Sequence, residues 1–549
     1  MVPDEVPEDV LATPLTFRLA GRAADPRPAY THLDCSGGAE LAERTLTWAE
    51  LLARVRAVAA DLRERVKPGE RVAIIARQDL SYVVAFFGAL YAGAVAVPLS
   101  APDLRAQRER LAGALNDCAA AVWLTTEPLL AKVRELDGVP RPRAVVAVDT
   151  LPEVAEFPPA AVRPEDPAYL QYTSGTTRSP AGVVISHRAL AAACWQVCAA
   201  YAVDSAVTCV GWIPFFHDMG LIQLVCGPVH SGGRSVFLAP LEFVRRPVRW
   251  LTMMAAYPKT LTAAPNFAYD LLVEAVPEAR RREFDLSGVH VALNGSEPVR
   301  AKTVEAFLAA YEPHGFPRGA YRPSYGLAEG TVFVAGGDGT GPVTTEVSGR
   351  ELVSAGRPCG QRLRIVDPGR GVAVPDGETG EIWVHGPNVA DGYWRRPELT
   401  AEVFGGRLDG EDGWLRTGDL GFWDGERLYV TGRIRDLIIV DGRNHTPQDI
   451  EETVAAAHPA LGPDRIAAFG VDDPAGEKLV VVAERARGAA GAGVAEDEVA
   501  RAARRAVATG HDLRVHTFLL VKPGALPRTS SGKVSRSAAR TRFWAKRPR

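Results

Sequence analysis

No charged residue occurs from position 80 to position 102, where the chain reads LSYVVAFFGALYAGAVAVPLSAP. A run of that length is long enough to cross a bilayer as one helix. Gly88, Gly93 and Pro98 divide it instead into an apolar helix over about 80–92 and a strand over 94–99. The apolar run 72–76, entered through Pro68-Gly69, stands just before it, so the order is strand, helix, strand. That order, with no polar alternation, predicts parallel strands buried on both faces in an α/β body rather than a membrane span.

Further signals extend the pattern. Thr47 and Glu50 form a T-x-x-E capping box, followed by Leu51, Leu52, Val55, Val58, Ala59 and Leu62 at helical spacing. Strands are expected at 144–148, 168–172, 183–185, 235–238 and 289–293, with helical segments between many of them. The proline-rich stretch 157–167 reads as an extended connector. Beyond about residue 360 short alternating runs, such as 363–366 and 380–384, suggest a small β-rich subdomain. From about 436 a helix (446–457), strands (466–471 and 479–483) and a Gly/Ala-rich loop (488–493) suggest a separate α+β domain. At 549 residues the chain is too long for one core, which agrees with this division.

Charge and cysteine content narrow the class. A net charge of −3 gives no basic footprint for nucleic acid or an anionic membrane. Only eight of the 63 basic residues are lysines, so each lysine is conspicuous. The seven cysteines are scattered without C-x-x-C pairs, and the acidic, proline-containing N-terminus lacks a signal-peptide pattern. A reduced, cytoplasmic protein is expected.

The densest chemical signal is Tyr172-Thr173-Ser174-Gly175-Thr176-Thr177-Arg178-Ser179-Pro180-Ala181-Gly182, between two apolar strands. Hydroxyls and a glycine so packed can turn donors toward phosphate oxygens, although an ordinary surface turn uses the same residues. The loop lacks the spacing and lysine of a Walker A motif.

This segment resembles the phosphate-binding signature of the ANL superfamily of adenylating enzymes, in the version carried by fatty acyl-AMP ligases. The similarity continues in Trp212-Ile213-Pro214-Phe215-Phe216-His217-Asp218-Met219-Gly220-Leu221, Ala264-Pro265-Asn266-Phe267 and Asn294-Gly295-Ser296-Glu297. It runs on through Arg322-Pro323-Ser324-Tyr325-Gly326-Leu327-Ala328-Glu329, Gly413-Trp414-Leu415-Arg416-Thr417-Gly418-Asp419 and Gly432-Arg433-Ile434-Arg435-Asp436-Leu437-Ile438. Gly442-Arg443-Asn444-His445 and Pro527-Arg528-Thr529-Ser530-Ser531-Gly532-Lys533 complete it, in family order over nearly the whole chain.

The resemblance implies a body over 1–434, its β-rich part at about 360–434, and a small mobile α+β lid over 435–549 hinged at Arg435. It implies a ligase that uses ATP and Mg²⁺ to convert a fatty or bulky apolar carboxylic acid into acyl-AMP. The acyl group then passes to the phosphopantetheine thiol of CoA or of an acyl carrier protein.

By the same resemblance Thr173, Ser174, Gly175, Thr176 and Thr177 hold phosphate. Gly295, Ser296, Glu297, Tyr325, Gly326, Asp419 and Arg433 hold the rest of the nucleotide, and Glu329 binds Mg²⁺, a hard cation that prefers oxygen ligands. Lys533 supplies a mobile ammonium to the α-phosphate and the acid, and His217 stands beside the acyl pocket. Ile213, Phe216, Met219, Leu221 and Phe267 are expected to line that pocket. A core tyrosine competes for Tyr325 and a satisfied core histidine for His217.

Two departures bear on function. Arg178 and Ala181 stand where most of the superfamily carries glycine and lysine, a feature shared with fatty acyl-AMP ligases. The stretch from Val334 to Leu352 is short and glycine-rich, where fatty acyl-AMP ligases hold a longer insertion that disfavours CoA. Three readings stay open: a ligase serving a carrier protein, an acyl-CoA ligase acting mainly in thioester formation, and a non-catalytic acyl or nucleotide binder.

Overall fold

The structure is a computed structural model. It describes residues 3–35, 42–103, 105–172, 181–347, 350–440, 443–471, 477–486, 493–529 and 533–544. The chain divides into a larger compact unit, which takes in most residues up to Val430, and a smaller one, which runs from Thr431 and includes Gly418–Gly421.

In the larger unit, the charge-free run folds as helix Leu80–Tyr91 followed by strand Val95–Ser100. Strand Arg71–Ala76 pairs with Val95–Ser100 in parallel. The alternation of side chains explains why the runs 72–76 and 95–99 within them are apolar throughout. Val72, Ile74 and Ala76 enter one hydrophobic cluster with the Leu80–Tyr91 helix, while Ala73 and Ile75 enter another on the opposite face. Among the described residues this sheet has seven strands, in the order Gly392–Tyr393, Gly182–Ser186, Pro167–Tyr172, Val95–Ser100, Arg71–Ala76, Val122–Thr125, Ala144–Ala147. No described helix is long and apolar enough to cross a membrane.

The capping box forms as expected: Thr47 Oγ1 accepts from the Glu50 N–H, and the Glu50 carboxylate accepts from the Thr47 N–H, opening helix Trp48–Arg65. A second sheet, of eight strands among the described residues, runs Ala335–Gly336, Tyr321–Tyr325, Val289–Asn294, Thr260–Ala264, Thr208–Gly211, Arg234–Phe237, Pro28–Asp34, Ala42–Thr47. Its inner pairs are parallel and its two edge pairs antiparallel. Trp212, Phe243, Trp250, Tyr269, Phe307 and Tyr321 fill one side of it.

The alternating runs beyond residue 360 become a six-stranded sheet among the described residues, built on Arg362–Asp367, Gly380–His385 and the long strand Glu411–Asp424. The smaller unit holds a sheet of three strands among the described residues, Ile466–Val471, Lys478–Glu484 and Val515–Val521, covered by helices Pro447–Ala456 and Glu496–His511. Of the predicted 488–493 loop, residues 488–492 lie outside the described residues.

Candidate functional site

Four neighbouring strands of the eight-stranded sheet, Tyr321–Tyr325, Val289–Asn294, Thr260–Ala264 and Thr208–Gly211, run parallel in that spatial order. Each delivers one of the sequence motifs just beyond its carboxyl end. Thr208–Gly211 leads to Trp212 through Gly220, Thr260–Ala264 to Pro265-Asn266-Phe267, Val289–Asn294 to Gly295-Ser296-Glu297, and Tyr321–Tyr325 to Gly326 through Glu329. Ligands of open parallel sheets bind in this crevice. A cleft of about 340 Å³ lined by Lys259, His290 and Arg322 opens at the amino-terminal ends of three of these strands, and Arg322 is the one motif residue in it.

Buried polar contacts lock the strand ends to one another. Asn294 Nδ2 donates to Asn266 Oδ1 at 3.0 Å and to the Tyr321 hydroxyl at 2.8 Å. Asn266 in turn donates from its backbone N–H (3.0 Å) and its Nδ2 (3.1 Å) to Glu297 Oε1. The Glu297 carboxylate thus sits at the N-terminus of helix Asn266–Ala275, where the helix dipole favours a negative charge. In this arrangement Glu297 braces the site.

Ser296, just past its strand, has φ 68°. A non-glycine residue in the left-handed region carries strain of the kind that clusters at functional sites. Its hydroxyl lies 3.7 Å from Met219 Sδ, which joins two of the motifs. Gly220 makes the Met219 turn possible, because a Cβ there would meet Pro214 O at 2.2 Å.

The segment carrying Glu329 is tightly constrained. A Cβ on Gly326 would lie 1.4 Å from Val332 O, so only glycine permits the chain to fold back here. Thr331 and Val332 both adopt positive φ, 47° and 78°, which is costly for β-branched side chains. Asn388, fully buried, holds this turn: its Nδ2 donates to Gly330 O (2.9 Å), Phe333 O (3.2 Å) and Gln361 Oε1 (2.7 Å). Its Oδ1 accepts from Gln196 Nε2 at 3.1 Å, and its carbonyl accepts from Thr331 Oγ1 at 2.6 Å. Glu329 itself is half-buried, with Oε1 accepting from the Tyr393 hydroxyl at 2.6 Å. Its second oxygen has no hydrogen-bond partner among the described residues. That donor set suits a divalent cation that takes one or two protein carboxylates and completes its shell with phosphate and water oxygens. No cluster of three or more acidic, His or Cys ligands exists among the described residues, so a metal here would depend on such outside oxygens.

His217 caps the short helix Asp218–Gly220. Its Nδ1 lies 2.7 Å from Asp218 Oδ1 but makes no hydrogen bond among the described residues. The approach lacks hydrogen-bonding alignment, so Asp218 does not fix the ring through this atom. Tyr325 is 9% exposed and packs in the cluster that contains Val334, Leu363 and Val384.

The residues expected to line an acyl pocket are distributed. Ile213 and Leu221 are buried in one hydrophobic cluster with Met219 packed against it. Phe267 packs against the other cluster, its ring 5.9 Å from that of Trp212, and Phe216 is half-buried. Thr173, Ser174, Gly175, Thr176 and Thr177 lie outside the described residues.

In the smaller unit Asp419, 3% exposed, pairs with Arg433 Nε at 2.7 Å. Arg435 is exposed in the turn Ile434–Asp436. Its neighbour Asp436 is held by Arg536 at 3.2 Å, and Arg536 also pairs with Glu451 at 2.7 Å. Those two carboxylates hold the half-buried guanidinium charged, against the cost of desolvating it. Residues 530–532 lie outside the described residues; on either side of them the Thr529 N–H donates to Lys533 O at 2.7 Å, and the Lys533 N–H donates to Thr529 Oγ1 at 3.2 Å.

Sequence reasoning missed Asn388, Gln361, Gln196 and Tyr393 as parts of the site. Each lies tens of residues or more from Glu329 in the chain. The polar residues buried among apolar neighbours in 380–393 were the available signal.

Comparison with known proteins follows the same lines. The model of the family of AMP-binding enzymes matches residues 21–394. A long-chain-fatty-acid–AMP ligase of Mycobacterium marinum is 40% identical over 566 residues, covering 95% of each chain. One of Mycolicibacterium smegmatis is 40% identical over 588 residues, covering 94% of this chain and 91% of that protein. The crystal structure of a fatty acyl-adenylate ligase from L. pneumophila, in complex with acyl adenylate and pyrophosphate, superposes with a TM-score of 0.74 at 32% identity, covering 96% of each chain.

Proposed function

The chain belongs to the family of AMP-binding enzymes, and from that premise we propose that it activates a fatty or similarly apolar carboxylic acid as its acyl adenylate. A carboxylate oxygen attacks the α-phosphorus of ATP, forming the acyl-phosphate bond as the bond to the leaving pyrophosphate breaks. A phosphopantetheine thiolate then attacks the acyl carbon, forming the thioester and releasing AMP. The observation that carries this reading is the delivery of four motifs to the carboxyl ends of four adjacent parallel strands, one of them bearing the Glu329 carboxylate.

The roles follow from the chemistry of each group. Glu329, positioned by Tyr393, is the ligand for Mg²⁺, which when bound offsets charge on the leaving pyrophosphate. Ser296 and Tyr325 receive the adenine, and the Asp419 carboxylate accepts from the ribose hydroxyls. Lys533 supplies the cation that offsets the charge developing as carboxylate and phosphate meet. His217, Met219 and the apolar residues around them receive the acid. Arg435 is the hinge on which the region from 435 turns as a lid between the two half-reactions.

The acceptor is the phosphopantetheine arm of an acyl carrier protein, as the resemblance to fatty acyl-AMP ligases suggests. The short stretch 335–351 favours CoA as a second reading. Among the described residues it holds the edge strand Ala335–Gly336, strand Thr344–Val347 and the start of its antiparallel partner Arg350–Val353. Purified protein with ATP, Mg²⁺ and a panel of acids, followed by mass spectrometry, tests both. Acyl-AMP that becomes thioester only on holo carrier protein supports the first reading, and acyl-CoA supports the second. Absence of any adenylate or thioester, even from supplied acyl-AMP, supports a non-catalytic binder and overturns both.

A further inference from the structure

Gln223 is 5% exposed, yet neither its amide oxygen nor its amide nitrogen has a hydrogen-bond partner among the described residues. Most buried side-chain amides are satisfied, and a fully orphaned one calls for an explanation. Its neighbours in the chain, Leu221, Ile222, Leu224, Val225 and Cys226, are all buried in the main hydrophobic cluster, so the amide is the polar exception in an apolar turn. That turn, Leu221–Cys226, is π-helical, a geometry that widens the helix and recurs at functional sites.

The spacing says where the amide stands. Gln223 follows Met219 by four residues, a little under one turn of the widened helix, so the two stand on neighbouring parts of one face. Met219 Sδ is the atom that touches Ser296 at the strand-end crevice. Gln171, at the end of strand Pro167–Tyr172, contributes a second polar exception close to the start of this segment. Its Nε2 donates to Phe216 O at 2.9 Å, while its Oε1 is buried without a partner among the described residues.

We infer that Gln223 is a specificity residue that reads a hydrogen-bonding substituent, a hydroxyl or keto group, on the chain of the acid. The inference rests on the acyl-adenylate reading above and deepens it by naming the substrate class: a chain-substituted acid rather than a plain alkanoic acid. An amide offers a donor and an acceptor together, so it serves a hydroxyl by either atom and a keto group by its N–H. A site with a dedicated buried hydrogen-bonding group rejects the analogue lacking its partner, whereas a purely apolar pocket discriminates weakly.

The test compares decanoic acid with its monohydroxy and mono-oxo derivatives, measuring kcat/KM for acyl-AMP formation by the wild type, Gln223→Leu and Gln223→Met. The wild type is expected to favour at least one substituted acid by about tenfold or more, and both variants to bring that ratio to one or below. An unchanged ratio in the variants, or no preference in the wild type, overturns the inference while leaving acyl-AMP formation standing. Loss of activity on every acid in variants that melt like the wild type also overturns it, because Gln223 would then serve the chemistry rather than selection. If the wild type adenylates no acid at all, the underlying reading fails and the inference falls with it.

Discussion

Asn388 is the residue through which the account of the Glu329 turn can be broken. Replacing it with alanine leaves two buried acceptors, Gly330 O and Gln361 Oε1, without another donor among the described residues. Phe333 O keeps its bond from Gln361 Nε2, and Gln196 Nε2 keeps its bond to Gly360 O. At about 1–3 kcal/mol for each orphaned buried group, Asn388→Ala should cost about 2–6 kcal/mol of stability. The turn it releases also stores the strain of Thr331 and Val332, about 1–3 kcal/mol each, which favours relaxation away from the observed shape. Displacement of Glu329 should then lower kcat for acyl-AMP formation by about 10²-fold and raise the Mg²⁺ concentration needed for half-maximal rate. Urea unfolding reads the first effect and pyrophosphate release across a Mg²⁺ titration reads the second. A variant as stable as the wild type would refute the hydrogen-bond accounting. A destabilised variant with unchanged Mg²⁺ dependence would refute the positioning of Glu329.

Three further outcomes are expected. Tyr393→Phe removes the hydroxyl that holds Glu329 Oε1, and should raise the Mg²⁺ requirement several-fold with a stability loss of only about 1 kcal/mol, checked by the same titration and by melting. Gly326→Ala places a methyl inside the contact distance of Val332 O, so acyl-AMP formation should be abolished even where circular dichroism shows a folded protein; retained activity would contradict the close approach. His187 is buried with its Nδ1 unpartnered among the described residues, and burial pushes its pKa down from 6.5 to about 4. The unfolded chain therefore binds this proton first, so stability is whole above pH 6.5 and is lost as pH falls toward 4. Between about pH 7.5 and pH 5 the wild type should lose about 2 kcal/mol more than His187→Gln, and parallel urea midpoints across that range would contradict it.

The elements that were legible in the sequence share one property: local pattern and tertiary environment agree. The run 72–76 is apolar at every position because Val72 and Ala73 face different clusters, and the Thr47/Glu50 box closes because its two partners are three residues apart. The charge-free helix needed no polar face because it is buried on all sides. What stayed hidden depends on distance or on backbone geometry. Nothing local tells that Asn388 holds the turn at Glu329, or that Ser296 adopts a left-handed conformation. Glu297 illustrates a subtler case, since its motif suggested a nucleotide contact and gave no sign that its Oε1 also accepts from Asn266. Gln223 carries no signal in the sequence, and burial without a hydrogen-bond partner among the described residues sets it apart.

The central claim is that a carboxylic acid meets the α-phosphorus of ATP with the Glu329 carboxylate supporting the metal. Exchange of labelled pyrophosphate into ATP measures that step alone, with no thiol acceptor required. Exchange should depend on added fatty acid and on Mg²⁺, and should fall by orders of magnitude in Glu329→Gln. Exchange that proceeds without any acid, or that survives undiminished in Glu329→Gln, would contradict it.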